Sequence, residues 1–129
     1  MIKLLAVDDE PGLCKILEKT FNPIGFKVLT ANNAKDALVK VKKDKPQLVF
    51  LDVRMPDMSG FDVLKEIKNI NPKIIVVMLT VFDDEISRKK AKELGADDFI
   101  GKPFIPDELA EFVRLKVARI VDKESEKHA

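Results

Sequence analysis

Apolar and β-branched residues gather in five runs along the chain: IKLLAV (2–7), FKVLTA (26–31), LVFLDV (48–53), IIVVML (74–79) and DFIG (98–101). The first, third and fourth are almost unbroken in apolar character. Strands covered on both faces read this way, because neither side of the pleat meets water. The second run mixes polar and apolar positions and suits the edge of a sheet.

Between the runs, apolar residues recur with the helical period. Leu13, Ile16, Leu17 and Phe21 follow Pro11, a residue suited to a first helical turn. Ala34, Ala37, Leu38 and Val41 repeat the pattern, and Pro46 stops it. Ser59 is placed to cap a third helix striped by Phe61, Leu64 and Ile67, with Pro72 beyond its end. Ile86, Lys90, Ala91 and Leu94 mark a more polar fourth helix, ended by Gly95. Asp107 is placed to cap the fifth, carried by Leu109, Phe112, Val113, Val117 and Ile120. Strands that alternate with helices require right-handed crossovers, so the expected class is α/β: a parallel sheet with helices on both faces. One domain is expected over residues 1–121, followed by a polar tail, DKESEKHA (122–129), whose composition predicts fraying. His128 falls in that tail, which argues against a metal or catalytic role for it.

Composition narrows the function classes. The chain has 129 residues, enough for a core that needs neither disulfides nor a structural metal. With 23 basic and 22 acidic residues the net charge is +1, so there is no overall electrostatic reason to expect direct nucleic-acid binding. The single cysteine, Cys14, excludes an internal disulfide and fits a reducing compartment; among Leu13, Ile16 and Leu17 it reads as a small buried hydrophobe. The start, MIKLLAVDDE, turns acidic too early for a signal peptide. No run approaches the ~18 apolar residues of a membrane span. The expected location is the cytoplasm, with no membrane partner.

The unusual polar residues all fall at strand ends. Asp8 and Asp9 follow the first strand, Asp52 ends the third, Thr80 ends the fourth and Lys102 follows the fifth. In an open parallel sheet these positions share one rim, just beyond the carboxyl ends of the strands, where sites form. Crowded carboxylates repel one another, and a divalent cation removes that cost. Hard oxygen donors with retained waters suit Mg²⁺, and Mn²⁺ should also serve. Lys102 offers a point positive charge and Thr80 a hydroxyl donor, together able to hold the oxygens of a phosphoryl group. Asp52, the most central carboxylate, is the expected nucleophile, forming an aspartyl phosphate.

Four segments carry a family resemblance: AVDDEP (6–11), LVFLDVRMPDMSGFDVL (48–64), VVMLTVFDD (76–84) and LGADDFIGKPF (94–104). In their order and spacing they resemble the receiver domain of bacterial two-component response regulators, of the chemotaxis-regulator type. The resemblance covers about residues 2–121. It implies a flavodoxin-like (βα)5 fold with strand order 2-1-3-4-5. It implies that Asp52 accepts a phosphoryl group from a sensor histidine kinase or phosphotransfer protein. Asp9, Asp52 and the backbone carbonyl of Arg54 would ligate Mg²⁺, with Asp8 acting through water. Lys102 is similar to the family's ion-pair lysine, and its bond to Pro103 is similar to one the family holds cis. Thr80 and Phe99 match the switch positions. Through them the surface of the fourth helix, fifth strand and fifth helix would change shape for a downstream effector protein or output domain. A homodimer through the same face is a further expectation. Such a domain catalyses only its own phosphorylation and dephosphorylation.

Some positions depart from the family pattern. Phe99 stands where tyrosine is commoner and lacks the hydroxyl that could bond outside, which predicts an inward ring even without phosphate. Val81 follows Thr80 where alanine or glycine is usual, and its branched side chain would crowd Asp52. Arg54 and Phe82 flank the acceptor and predict a long-lived phosphoryl state. The basic run RKKAKE (88–93) reads as a helix's solvated face. Other function classes fit less well. Haloacid-dehalogenase-like phosphatases need a second acid two residues after the nucleophile, where this chain has Arg54. A flavodoxin would need a hydroxyl-rich loop in place of Asp8–Asp9–Glu10. A non-phosphorylated pseudo-receiver would not need the full set of polar residues.

Overall fold

Five parallel strands lie in the order β2-β1-β3-β4-β5: β1 (Ile2–Val7), β2 (Phe26–Ala31), β3 (Leu48–Leu51), β4 (Ile75–Thr80) and β5 (Asp98–Gly101). The helices between and after them are α1 (Pro11–Phe21), α2 (Ala34–Asp44), α3 (Gly60–Ile70), α4 (Glu85–Glu93) and α5 (Pro106–His128). This computed structural model describes the backbone of residues 1–128 and the side chains of residues 1–118. The side chains of Ile120 and of the polar tail lie outside the described residues.

Alternation along the strands sorts the core into two layers. Leu5, Val7, Val49, Leu51, Val76, Met78 and Phe99 face α2, α3 and α4, through residues such as Val41, Leu64, Ile67 and Ala91. Leu4, Ala6, Leu48, Phe50, Val77 and Leu79 face α1 and α5, through Leu13, Cys14, Leu17, Phe21, Leu109 and Val113. Both layers need apolar side chains from β1, β3 and β4, which is why those three runs read as unbroken.

Local details depart from the sequence expectations for identifiable reasons. β3 stops at Leu51 instead of residue 53, because the Val53 carbonyl accepts the Gly60 N–H at 2.6 Å and turns the chain toward α3. β4 starts at Ile75, since the Ile74 N–H is committed to the Asn71 carbonyl in a turn. α5 opens with Pro106, so Asp107 sits inside the first turn, where its charge suits the helix dipole, rather than at the cap. On α1 Cys14 takes the core position and Ile16 faces outward.

Candidate functional site

The carboxyl ends of β1, β3, β4 and β5 open onto one rim, and the chain places its polar residues there. Among the described residues, three polar side chains belong to buried residues: Asp8, Asp52 and Thr80. Asp8 follows β1, and its N–H donates to the Ala31 carbonyl at 3.0 Å, which carries the β1–β2 pairing one residue further. The Asp52 N–H donates to the Val7 carbonyl at 3.3 Å, carrying the β1–β3 pairing onward in the same way. The sheet itself thus aims both acids.

Carboxylate oxygens of Asp8, Asp9 and Asp52 all lie within 4.8 Å of one another. Asp9 is exposed, so the cluster opens to solvent on one side. Glu10, the third acid of the run, instead takes the cap position of α1 without bonding the helix through its side chain. Lys102 leaves β5 and returns over the sheet: its Nζ donates to Asp8 Oδ2 at 2.6 Å and to Asp52 Oδ2 at 3.2 Å. The peptide bond from Lys102 to Pro103 is cis. The Arg54 N–H donates to Asp52 Oδ1 at 3.3 Å.

Charge states follow from burial and contact. Burial pushes the Asp8 carboxyl above its ordinary range, against the opposing pull of the Lys102 ammonium. Burial alone would lower the Lys102 pKa, but the bond to Asp8 and the charges of Asp52 and Asp8 outweigh it and leave it raised, so Lys102 stays cationic. Burial, reinforced by the Asp8 charge, also raises the Cys14 thiol, which is therefore protonated and a poor nucleophile. Three carboxylates against one ammonium leave negative charge to be balanced. Oxygen donors open to water on one side are a fit for a hard divalent cation.

Thr80 ends β4 fully buried, and its Oγ1 accepts the Phe82 N–H at 3.2 Å. The two-residue period puts it on the same face as Met78, which pairs in register with Phe99. The Phe99 ring is inward, 8% exposed, with the Arg88 guanidinium 4.9 Å above it. Asp83, in the loop after β4, holds that guanidinium by a salt bridge. The basic run on α4 is therefore not only a solvated face: Lys90 also covers an aromatic ring, that of Phe61, at 4.6 Å. Arg54 stacks on Phe82 at 4.6 Å, and the two line a cleft of about 270 Å³ with Val53, Met55, Ser59 and Ser87. Val81 is 61% exposed, so its branched side chain stands in solvent rather than packed against Asp52.

Sequence reasoning missed Gly60, Asp57 and Arg88. An added Cβ on Gly60 would lie 2.0 Å from the Asp52 carbonyl oxygen. Asp57 bonds the first turn of α2, and Arg88 covers Phe99. The only sequence signal was the glycine right after the Ser59 cap, a costly choice for a helix interior.

A five-stranded, doubly wound sheet with acids gathered at its carboxyl edge is a flavodoxin-like architecture. A family model, response regulator receiver domain, matches residues 4–114. Sporulation initiation phosphotransferase F of Bacillus subtilis (strain 168) is 38% identical over 112 residues, covering 87% of this chain and 90% of that protein. Probable transcriptional regulator ycf27 of Porphyra purpurea is 40% identical over 121 residues, covering 94% of this chain and 49% of that protein. The chain thus spans about half the length of the ycf27 relatives it matches. Among solved structures, the BeF3-activated receiver domain of DrrB, from Thermotoga maritima, is similar with a TM-score of 0.85 at 33% identity, covering 92% of this chain and 98% of that one. Chemotaxis protein CheY4 of Vibrio cholerae follows at a TM-score of 0.84 and 30% identity, covering 88% and 97%. The chain belongs to the response regulator receiver domain family, whose general function is phosphorylation on an aspartate. Response regulators interact with histidine kinases and with effector outputs.

Proposed function

We propose that Asp52 is the phosphoacceptor and that a sensor histidine kinase or phosphotransfer protein supplies the phosphoryl group. An Asp52 carboxylate oxygen attacks phosphorus, the bond from phosphorus to the donor imidazole nitrogen breaks, and the electron pair stays on that nitrogen. Lys102 already lies against Asp52 and is placed to neutralise the phosphoryl oxygens as charge develops. Asp9, Asp52 and the backbone carbonyl of Arg54 would hold Mg²⁺ or Mn²⁺, with Asp8 acting through water. When bound, the ion supplies positive charge that offsets the carboxylates and the phosphoryl oxygens. Thr80 then turns its hydroxyl toward the new dianion, Phe99 fills the space behind it, and the surface of α4, β5 and α5 changes for an effector or output domain. A second copy binding through the same face would read the same change.

In this proposal the chain acts in the cytoplasm, turns over no external substrate and does not itself bind nucleic acid. Among the described residues, no helix is long and apolar enough to cross a membrane. The observation that carries the proposal is the Lys102 ammonium bridging Asp8 and Asp52 inside an acid cluster. The test is incubation with Mg²⁺ and acetyl phosphate, wild type beside Asp52→Asn, followed by intact mass. A phosphoryl mass gain confined to the wild type is expected. Equal gain in the variant, or turnover of an added phosphoester, overturns it.

A further inference from the structure

Asp57 lies in the loop from β3 to α3, five residues past Asp52, and its carboxylate reaches out of that loop. One oxygen accepts the Ala34 N–H at 2.8 Å and the other the Lys35 N–H at 3.0 Å. These are the first two residues of α2, whose opening N–H groups have no partner inside the helix. Asn33 completes the turn from the helix's own side: its side chain accepts the Asp36 N–H at 2.8 Å and its carbonyl the Ala37 N–H at 3.1 Å. The start of α2 is thus capped by two groups of different origin, one local and one from the loop that follows Asp52.

The same short stretch also holds the other acidic loop. The Ala31 carbonyl, just before the turn into α2, accepts the Asp8 N–H. Residues 31–35 are therefore a common anchor for the loop bearing Asp8 and Asp9 and the loop bearing Asp52 and Arg54. The remaining hydrogen bonds along 53–59, Arg54 N–H to Asp52, Gly60 N–H to Val53 and those Ser59 accepts from Phe61, Asp62 and Val63, stay within the loop and the start of α3. Among the described residues of 53–59, Asp57 alone ties the chain to another element by side-chain hydrogen bonds, beside the Lys102 bond to Asp52 itself. A carboxylate suits the task, since two N–H groups at the positive end of a helix favour the anion.

We infer that Asp57 is a positioning residue: by fastening the β3–α3 loop to the first turn of α2, it sets the spacing between the two acid-bearing loops and so the affinity of the cluster for Mg²⁺. It touches neither the ion nor the phosphoryl group. The inference rests on the proposal that Asp9, Asp52 and the Arg54 carbonyl hold the ion.

The test uses the 129-residue chain as wild type, Asp57→Ala, Asp57→Asn, Asn33→Ala and Asp52→Asn. Each is titrated with MgCl2 by calorimetry, and each is unfolded thermally without Mg²⁺. Asp57→Ala is expected to weaken Mg²⁺ by about fivefold or more. Asp57→Asn, which keeps one oxygen acceptor, falls between it and wild type. Asn33→Ala unpairs the same helix's Asp36 N–H without touching an acid-bearing loop. It should lower the unfolding temperature comparably while holding the Mg²⁺ affinity within about twofold, since the coupling is absent. Unchanged affinity in Asp57→Ala overturns the inference. Equal weakening in Asn33→Ala also overturns it, because the effect then belongs to the stability of α2. A wild type that shows no saturable Mg²⁺ binding, with Asp52→Asn no different, overturns the metal site itself and this inference with it.

Discussion

Gly60→Ala tests how tightly the backbone of Asp52, the proposed acceptor, is gripped. The added Cβ would lie 2.0 Å from the Asp52 carbonyl oxygen, 2.8 Å from Val53 Cα and 2.9 Å from the Asp52 carbonyl carbon. All three are backbone atoms, so no side chain can rotate away. Restoring a tolerable contact means opening the gap by about 1 Å, and the bond from Gly60 N–H to the Val53 carbonyl, now 2.6 Å, stretches past the hydrogen-bond limit. Overpacking costs about 1–3 kcal/mol and the broken buried bond about as much again. The better helix propensity of alanine returns at most about 1 kcal/mol, leaving a net loss of about 1–5 kcal/mol. For a domain of this size that is a fall in Tm of roughly 3–20 °C. The same shift moves Asp52 relative to Lys102, and a misplacement of about 1 Å costs up to about 100-fold in rate. Gly12→Ala is the control: it also lies in a first helical turn, but nothing stands within 4 Å of its added Cβ. It should be neutral or slightly stabilising. Urea unfolding measures both variants, and intact mass after acetyl phosphate follows the acceptor. A Gly60→Ala protein within about 0.5 kcal/mol of wild type, phosphorylated at the normal rate, would refute the reasoning.

Lys102→Met leaves Asp8 and Asp52 buried without their cation and should cost about 3–5 kcal/mol in Mg²⁺-free buffer; Mg²⁺ should then raise the Tm of the variant more than that of wild type, and equal rises would count against the charge balance drawn here. Two backbone N–H bonds, from Ala34 and Lys35, hold the Asp57 carboxyl below its ordinary range, so its contribution is complete above about pH 4 and lost only as pH falls through the lower folded value. The stability gap between wild type and Asp57→Asn, followed by urea unfolding, should therefore stay constant through neutral pH and close in acid. Arg88→Ala removes a cation–π contact worth about 0.5–1 kcal/mol and should raise the outward population of the Phe99 ring by about two- to fivefold, read from the Phe99 aromatic resonances. An unchanged ring environment would show that packing alone holds it.

The bounds of β2 and β5 were legible because their runs are flanked by turn residues or charge on both sides, and the end of β1 because Asp8 closes it. The end of β3 was not. Val49 through Val53 keep an apolar rhythm around Asp52, and only the long-range bond from Gly60 shows where the strand turns. On α1 the burial of Cys14 was legible, but Ile16, which fits the apolar period, lies outward at 44% exposure. The acid cluster and Lys102 were legible because a parallel sheet puts every strand's carboxyl end on one rim. Asp57 and Arg88 were not, because each acts on an element far away in sequence or through a ring face, and neither belongs to a periodic pattern.

In the proposed switch, strand order puts Thr80 between the chemistry at Asp52 and the surface that changes. β4 stands between β5 and β3, so an ammonium that leaves β5 and bonds Asp52 must cross the end of β4, where Thr80 lies. The Thr80 carbonyl accepts the Lys102 N–H at 2.8 Å, fixing where that crossing starts. Its hydroxyl oxygen is committed the other way, to the Phe82 N–H in the loop toward α4. Any turn of that hydroxyl toward Asp52 gives up the Phe82 bond, and Phe82 carries Arg54 stacked on its ring. In the proposed switch the same turn would open space on the face shared by Met78 and Phe99. One buried side chain would then couple the charge at Asp52 to both the loop before α4 and the ring beneath Arg88.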